Sequence, residues 1–287
     1  MEGAAEQRGG IRLCLAAGAL LVFSGLLYGA VFLIRGDGWT GPTSLRKPLL
    51  FGLSTGVTLL SVGWVLGGLV PRKVDPWLYG SLALALVLEV GLIDLQQARG
   101  VPSHFNRSTP FDAAITEAMG GLILFATAVI AEITLRAWRR LAFDPSDTFV
   151  ARFGLVMLLA ACALGIGITG LGEARADRGL DPTTWGRAGV PKFAHGMPLH
   201  AIQIAWVQNR LLAALGVSEP RRLASLRWTA GGLVLATVYA VVQTAIGAPR
   251  FPPVGPTWPL AIGSAIAFVV ALGVSRPRRS ATPSSRL

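Results

Sequence analysis

Along the chain, apolar runs of about 20 residues alternate with short polar or proline-bearing segments, and the alternation occurs eight times. A run of that length is what a helix rising 1.5 Å per residue needs to cross the ~30 Å hydrocarbon core of a bilayer. The pattern predicts spans over about 11–34, 48–70, 77–96, 113–136, 149–172, 197–217, 228–247 and 258–274. Proline marks several limits, as in RKPLLFG, VPRKVDPW and HGMPLHA, where a first-turn proline loses nothing because its missing N–H would have no partner. The first run, roughly 24 residues long, exceeds a signal-peptide core and no small-residue cleavage site follows, so it reads as a retained anchor. The expected fold class is all-α: a polytopic helical membrane bundle of about eight transmembrane helices, one domain over 1–275, with a basic tail over 276–287 expected to be cytoplasmic and disordered.

Composition supports that reading. Of 287 residues, 52% are hydrophobic and 14% charged, and the mean hydropathy is +0.57. Soluble globular domains carry about 25% charged residues. The net charge of +11 does not point to nucleic acid, because the basic residues are scattered in short loops between apolar runs. There they act as topology signals and contacts to anionic lipid. With the N-terminus inside, 16 of the 26 Lys and Arg fall on the inner side, including the tail SRPRRSATPSSRL and the segment EPRRLASLR. Both termini are then expected in the cytoplasm of a bacterial inner membrane, with loops 35–47, 97–112, 173–196 and 248–257 facing outward. Cys14 and Cys162 lie inside apolar runs without CxxC spacing and read as small buried hydrophobes.

The outer ends of the helices hold the chemistry. The stretch DLQQARGVPSHFNRSTPFD (94–112), between two apolar runs, is almost wholly charged, amide-bearing, hydroxylic, Pro or Gly. Nearby, Glu89 and Gln96/Gln97 share one helical face, Glu117 enters the fourth span from the same side, and His200, Gln203 and Gln208 form a polar stripe on the sixth. Lys47, Phe51, Ser54 and Ser61 share a face of the second, and the fifth ends in GIGITGLG, whose glycines allow close backbone approach or line a cavity. Ionisable side chains inside a membrane are costly and mark bundle interiors or wet cavities. A carboxylate as deep as Glu89 has to be paired, metal-bound or protonated, and Lys47 is a candidate partner. Glu132, with Arg136 four residues on, reads as an ordinary intrahelical ion pair.

All three histidines, His104, His195 and His200, are expected at this outer level. With Glu89, Asp94 or Glu117 as an oxygen donor they could ligate a transition metal or haem iron, or carry protons. The alternative is that they satisfy hydrogen bonds at loops and helix ends. Pro198 is expected to open the sixth span, leaving His195 in the preceding loop. Asn106, Ser108 and Asp112 are natural turn and cap residues.

The segments KPLLFGLS, QQARGVPSHFN, TPFDAAITEAMG and HGMPLHAIQ resemble those of a group of bacterial multi-pass membrane proteins of unassigned function, which share Lys-Pro, Ser-His-Phe-Asn and Leu-His-x-x-Gln motifs. The resemblance implies no activity, only that Lys47, His104, Asn106, His195, His200 and Gln203 belong together.

Two classes of function fit. One is a metal- or haem-binding membrane oxidoreductase: Glu89, Glu117 and Lys47 catalytic, Asn106 and Gln203 holding the cofactor, His104, His195 and His200 on the metal. The other is a transporter or proton-coupled permease taking a small molecule or ion from the extracytoplasmic side through the same pocket. A membrane assembly or structural partner is a third reading. Each has the lipid bilayer as its partner and none involves nucleic acid.

Overall fold

The computed structural model describes residues 2–36, 38–41 and 43–275, with side chains from Arg8 onward; the expected basic tail lies outside the described residues. The helices are α1 (Glu2–Arg35), α2 (Arg46–Leu66), α3 (Asp75–Ala98), α4 (Pro110–Arg139), α5 (Pro145–Ala176), α6 (Pro191–Leu199), α7 (Ala201–Ala214), α8 (Glu219–Ala245) and α9 (Trp258–Ser275). Among the described residues the only β-type pairings are two isolated bridges. Seven of the helices are long and apolar enough to cross a membrane. The polytopic helical bundle expected from the sequence is what the chain forms.

Each start has a local cause. Thr109 caps α4 by accepting from Asp112 N–H, Asp144 caps α5 by accepting from Asp147 N–H, and Pro stands in the first turn of α3, α4, α5, α6 and α8. The 32 residues of α5 span about 48 Å at 1.5 Å each, longer than an upright crossing of a bilayer core needs.

The sixth predicted span departs from expectation. It is two helices, α6 of 9 residues and α7 of 14 residues, meeting at His200. Pro191 opens α6, and Pro198 sits inside it rather than starting it. Proline near a helix end removes one ladder hydrogen bond and clashes with the preceding turn, so the chain breaks two residues on, where His200 takes φ −104°, ψ 14°. His195 is therefore on a helix and not in a loop.

α1 packs along α2, α3 runs beside both α1 and α4, α5 packs against α6, α7 and α8, and α9 lies on α8. Small residues set the closest approach: a Cβ on Gly25 would lie 2.7 Å from Leu53 N, and one on Gly56 would lie 2.7 Å from Gly18 O. Leu59, Leu66, Tyr79, Leu82, Leu155, Leu158 and Ile202 form the centre of the core, all fully buried.

The connections gather at two ends. At one end, Gln97 Nε2 donates to Thr43 O (2.7 Å), Arg107 pairs with Glu173 (3.4 Å), and Ala188 N donates to Gly247 O (2.9 Å). This end carries the segments expected outside. At the other end, expected inside, Ala142 N donates to Gly68 O (2.8 Å), and Asp147 accepts from Asn209 (2.7 Å) and Arg210 (2.6 Å). Trp77 and Trp258 are exposed at span ends, as interfacial aromatics should be.

The expected Glu132–Arg136 pair does not form. Arg136 faces inward, 5% exposed, and grips both oxygens of fully buried Asp75 (2.6 and 2.8 Å), Tyr79 OH (3.1 Å) and Val70 O (2.8 Å). Glu132 points outward and pairs with Arg72 at 2.7 Å. Spacing of i, i+4 puts two side chains on adjoining parts of a helix surface, but a neighbouring helix decided which way the longer one turned.

Candidate functional site

Much of the polar stretch 94–112 is a self-contained knot. Asp112 Oδ1 accepts from Gln96 Nε2 (3.0 Å) and Arg99 Nη1 (2.6 Å), while Oδ2 accepts from Ser108 Oγ (3.1 Å) and Thr109 Oγ1 (2.6 Å). Arg99 also donates to Gln96 Oε1. Asn106 accepts from Ser108 N–H (3.2 Å) and Ser108 Oγ (2.7 Å) and donates to Pro102 O (3.1 Å). It shapes the loop, and its side-chain amide is engaged there. The knot fixes the turn from α3 into α4 and so fixes His104 and Phe105 over the bundle.

Phe105 has φ 57°, the left-handed region that costs an L-residue about 1 kcal/mol or more. Its ring lies against α5 where residue 172 has no side chain: a Cβ there would be 2.6 Å from Phe105 Cε1. The same helix makes room for a histidine, since a Cβ on Gly165 would be 3.0 Å from His195 Nδ1. The GIGITGLG glycines thus do both things expected of them, close approach and cavity lining.

The histidines each meet protein groups. His195 Nδ1 donates to Ala161 O (2.8 Å), which makes Nε2 the acceptor of the neutral ring. His200 Nε2 and Ser54 Oγ share a hydrogen bond of 3.2 Å, joining the break between α6 and α7 to α2. His104 Nδ1 and Ser103 Oγ share another at 3.2 Å, and its ring packs on Phe51 with centroids 5.5 Å apart. Burial first, then the charges of Lys47 and Lys192, push His104 down to about 3, so the loop histidine is neutral at physiological pH. Among the described residues, no group of three or more His, Cys, Asp or Glu side chains is placed to hold a metal ion. The three histidines expected on the metal thus do not converge as a ligand set.

Glu89 is 3% exposed, about 14 Å below the outer end of α3 at 1.5 Å per residue. Its Oε2 has no hydrogen-bond partner. Lys47 and Glu89 lie within reach of each other's charge; among the described residues they form no ion pair, so the contact expected between them is electrostatic only. Lys192 is a further neighbour, of Lys47 and His104; a lysine beside a helix-opening proline has the sequence pattern of an interfacial anchor, and nothing in its spacing distinguishes it. Gln203 Nε2 donates to Val57 O (3.3 Å), and its Oε1 is buried without a partner.

A cavity of about 270 Å³ lies between α3, α4, α5 and the 103–105 loop. Glu89, Ser103, His104, Phe105, Glu117 and Thr169 are among its walls. Three of the residues expected at the site, Glu89, His104 and Glu117, share it. Glu117 departs from the inward position expected: its side chain is 68% exposed, pairing with Arg107 at 2.7 Å on the outer rim. Seven residues into α4 places it only ~10 Å along the axis, where a flexible side chain reaches the rim and a loop arginine meets it. Lys47, His195, His200 and Gln203 are not among the cavity's walls.

No protein-family model, no curated protein and no solved structure matches this chain.

Proposed function

We propose that this integral membrane protein is a transporter or proton-coupled permease, working through the polar chamber in the outer half of the bundle. One observation carries the reading: Glu89, almost wholly buried in a span, has a carboxylate oxygen with no partner on the wall of a cavity. A structural carboxylate at such depth would be paired, since an unsatisfied buried polar group costs ~1–3 kcal/mol and a charged one more. Retaining it makes sense where the group must gain and lose a proton or a ligand.

The interrupted α6–α7 span supports the same reading. Helices broken at membrane depth are tolerated where backbone lines a cavity or meets protein, and transporters place their sites at such breaks. Here the break falls at His200, hydrogen-bonded to α2 through Ser54.

The test is proton movement. Purified protein in liposomes, with a pH-sensitive dye inside and an imposed pH gradient, should dissipate the gradient faster than empty liposomes. Glu89→Gln, which keeps size and removes the titrating oxygen, should abolish most of that flux. Wild-type vesicles no leakier than empty ones, under either gradient direction, would set the reading aside.

A further inference from the structure

The geometry points to a side entrance from the bilayer: the cleft between α4 and α5 takes a lipophilic amine, whose ammonium head reaches Glu89 and whose hydrocarbon chain trails into the membrane. The inference rests on the transport reading and names its substrate class.

α4 and α5 share one core over their inner halves, through Val129, Ile130 and Ile133 and through Leu155 and Leu158, and the cleft opens in the other half, beside Leu124 and Ile166. At the inner end Arg152 of α5 donates to Ala137 O (3.0 Å) and Trp138 O (3.1 Å); at the outer rim Arg107 bridges Glu117 (2.7 Å) and Glu173 (3.4 Å). Glycines at 120, 165 and 170 open space among the larger residues of the two helices, and the mouth lies among exposed apolar side chains. A Cβ on Gly120 or Gly170 would meet nothing within 4 Å, and Leu124 and Ile166 on the two lips are 56% and 36% exposed. Residues that exposed on apolar spans face lipid, so the opening is lateral.

The head-group preference comes from charge. Three carboxylates line the cavity, those of Glu89, Glu117 and Glu173, and its lining contains no lysine or arginine. Arg107 pairs with both carboxylates at the rim and offsets one of their two charges. At the back wall stands Glu89, with an oxygen that accepts from nothing; Lys47, the cation within reach of its charge, is not among the cavity's walls, so Glu89 is the group an incoming cation meets inside. An ammonium supplies both a positive charge and the missing hydrogen-bond donors. The size agrees: about 270 Å³ is just below the ~300 Å³ at which drug-sized pockets begin, enough for a head and the first carbons of a chain that continues into lipid. A fully water-soluble ligand would leave the exposed apolar lips without a purpose.

Binding of radiolabelled dodecylamine to the full-length protein in phosphatidylcholine nanodiscs, measured against empty nanodiscs, tests this. Saturable binding of about one amine per protein is expected, displaced by unlabelled dodecylamine and at least about tenfold less well by dodecanol, as loss of one charge-assisted hydrogen bond requires. Glu89→Gln should weaken binding by about tenfold or more on the same grounds. Gly120→Phe, at a position with open space, should block it without disturbing the packing, and covers the case in which Glu89→Gln fails to fold. Binding no greater than that of empty nanodiscs, binding unchanged in the folded variants, or dodecanol competing as well as the amine would each overturn the inference. Amine binding by a protein that moves no protons would overturn the transport reading alone, whereas Glu89-dependent flux without amine binding would overturn this inference alone.

Discussion

Replacing Arg136 with methionine should be among the most destabilising single changes in this bundle. It would remove the two hydrogen bonds to Asp75 (2.6 and 2.8 Å), one to Tyr79 OH (3.1 Å) and one to Val70 O (2.8 Å), and it would leave Asp75, which is fully buried, with the Arg72 N–H at 2.9 Å. Hydrogen bonds between helices in bilayers average only ~0.6 kcal/mol, so four of them account for roughly 2.4 kcal/mol. The carboxylate left behind raises the total, because breaking a buried pair by removing one partner costs about 3–5 kcal/mol. The two sources are separable. Asp75→Asn keeps an acceptor for Arg72 N–H while removing the charge, so the double variant Asp75→Asn/Arg136→Met should recover roughly 1–3 kcal/mol relative to the sum of the singles. Reversible unfolding in mixed micelles, followed by tryptophan fluorescence, reads these differences directly. An Arg136→Met variant destabilised by less than about 1 kcal/mol, or singles that simply add, would refute the argument that this pair clamps α3 to α4.

Three further outcomes are expected. His104 titrates near 6.5 in the unfolded chain and is pushed down to about 3 in the fold, so the unfolded state binds more protons between those values. Its contribution is complete above pH about 6.5 and is lost as pH falls toward 3; His104→Phe should flatten that part of the stability–pH curve, and a wild-type curve flat from pH 7 to 4 would count against it. Gly172→Ala, whose Cβ would lie 2.6 Å from the Phe105 ring, should cost about 1–3 kcal/mol by overpacking, and Phe105→Ala in the same chain should relieve part of that in thermal unfolding. A topology reporter fused after Ser275 should be active only on the cytoplasmic side, as the distribution of basic residues requires; activity outside would invert the orientation of the site.

The periodicity of apolar runs was enough to predict the membrane bundle and to place most helix boundaries within a few residues, because bilayer thickness dictates length and leaves little freedom. The burial of Glu89 follows from the same pattern: a carboxylate deep in an apolar run turns toward the bundle rather than the lipid. The interrupted span was not legible. Pro198 is as good a helix opener as a helix breaker, and only the earlier Pro191 and the packing of α6 on α5 decide which role it takes. Arg136 was misassigned because a four-residue spacing offers Glu132 as partner, while the real partner, Asp75, is brought in by the fold from 61 residues away. The polar density of 94–112 pointed to a working site, yet most of it is turn and cap chemistry centred on Asp112. Only His104, Ser103 and Phe105 from that stretch reach the cavity.

The most direct measurement is proton flux in liposomes reconstituted with wild type, Glu89→Gln and Glu132→Gln, the last removing a carboxylate of the exposed Arg72 pair at the inner end. The account predicts gradient dissipation by wild type and by Glu132→Gln at comparable rates, and by Glu89→Gln at roughly one-tenth of that rate or less, as expected for an intramembrane carboxylate on a proton path. Equal flux through Glu89→Gln and wild type, with both proteins folded, would contradict the claim that this buried carboxylate is the working group of the protein.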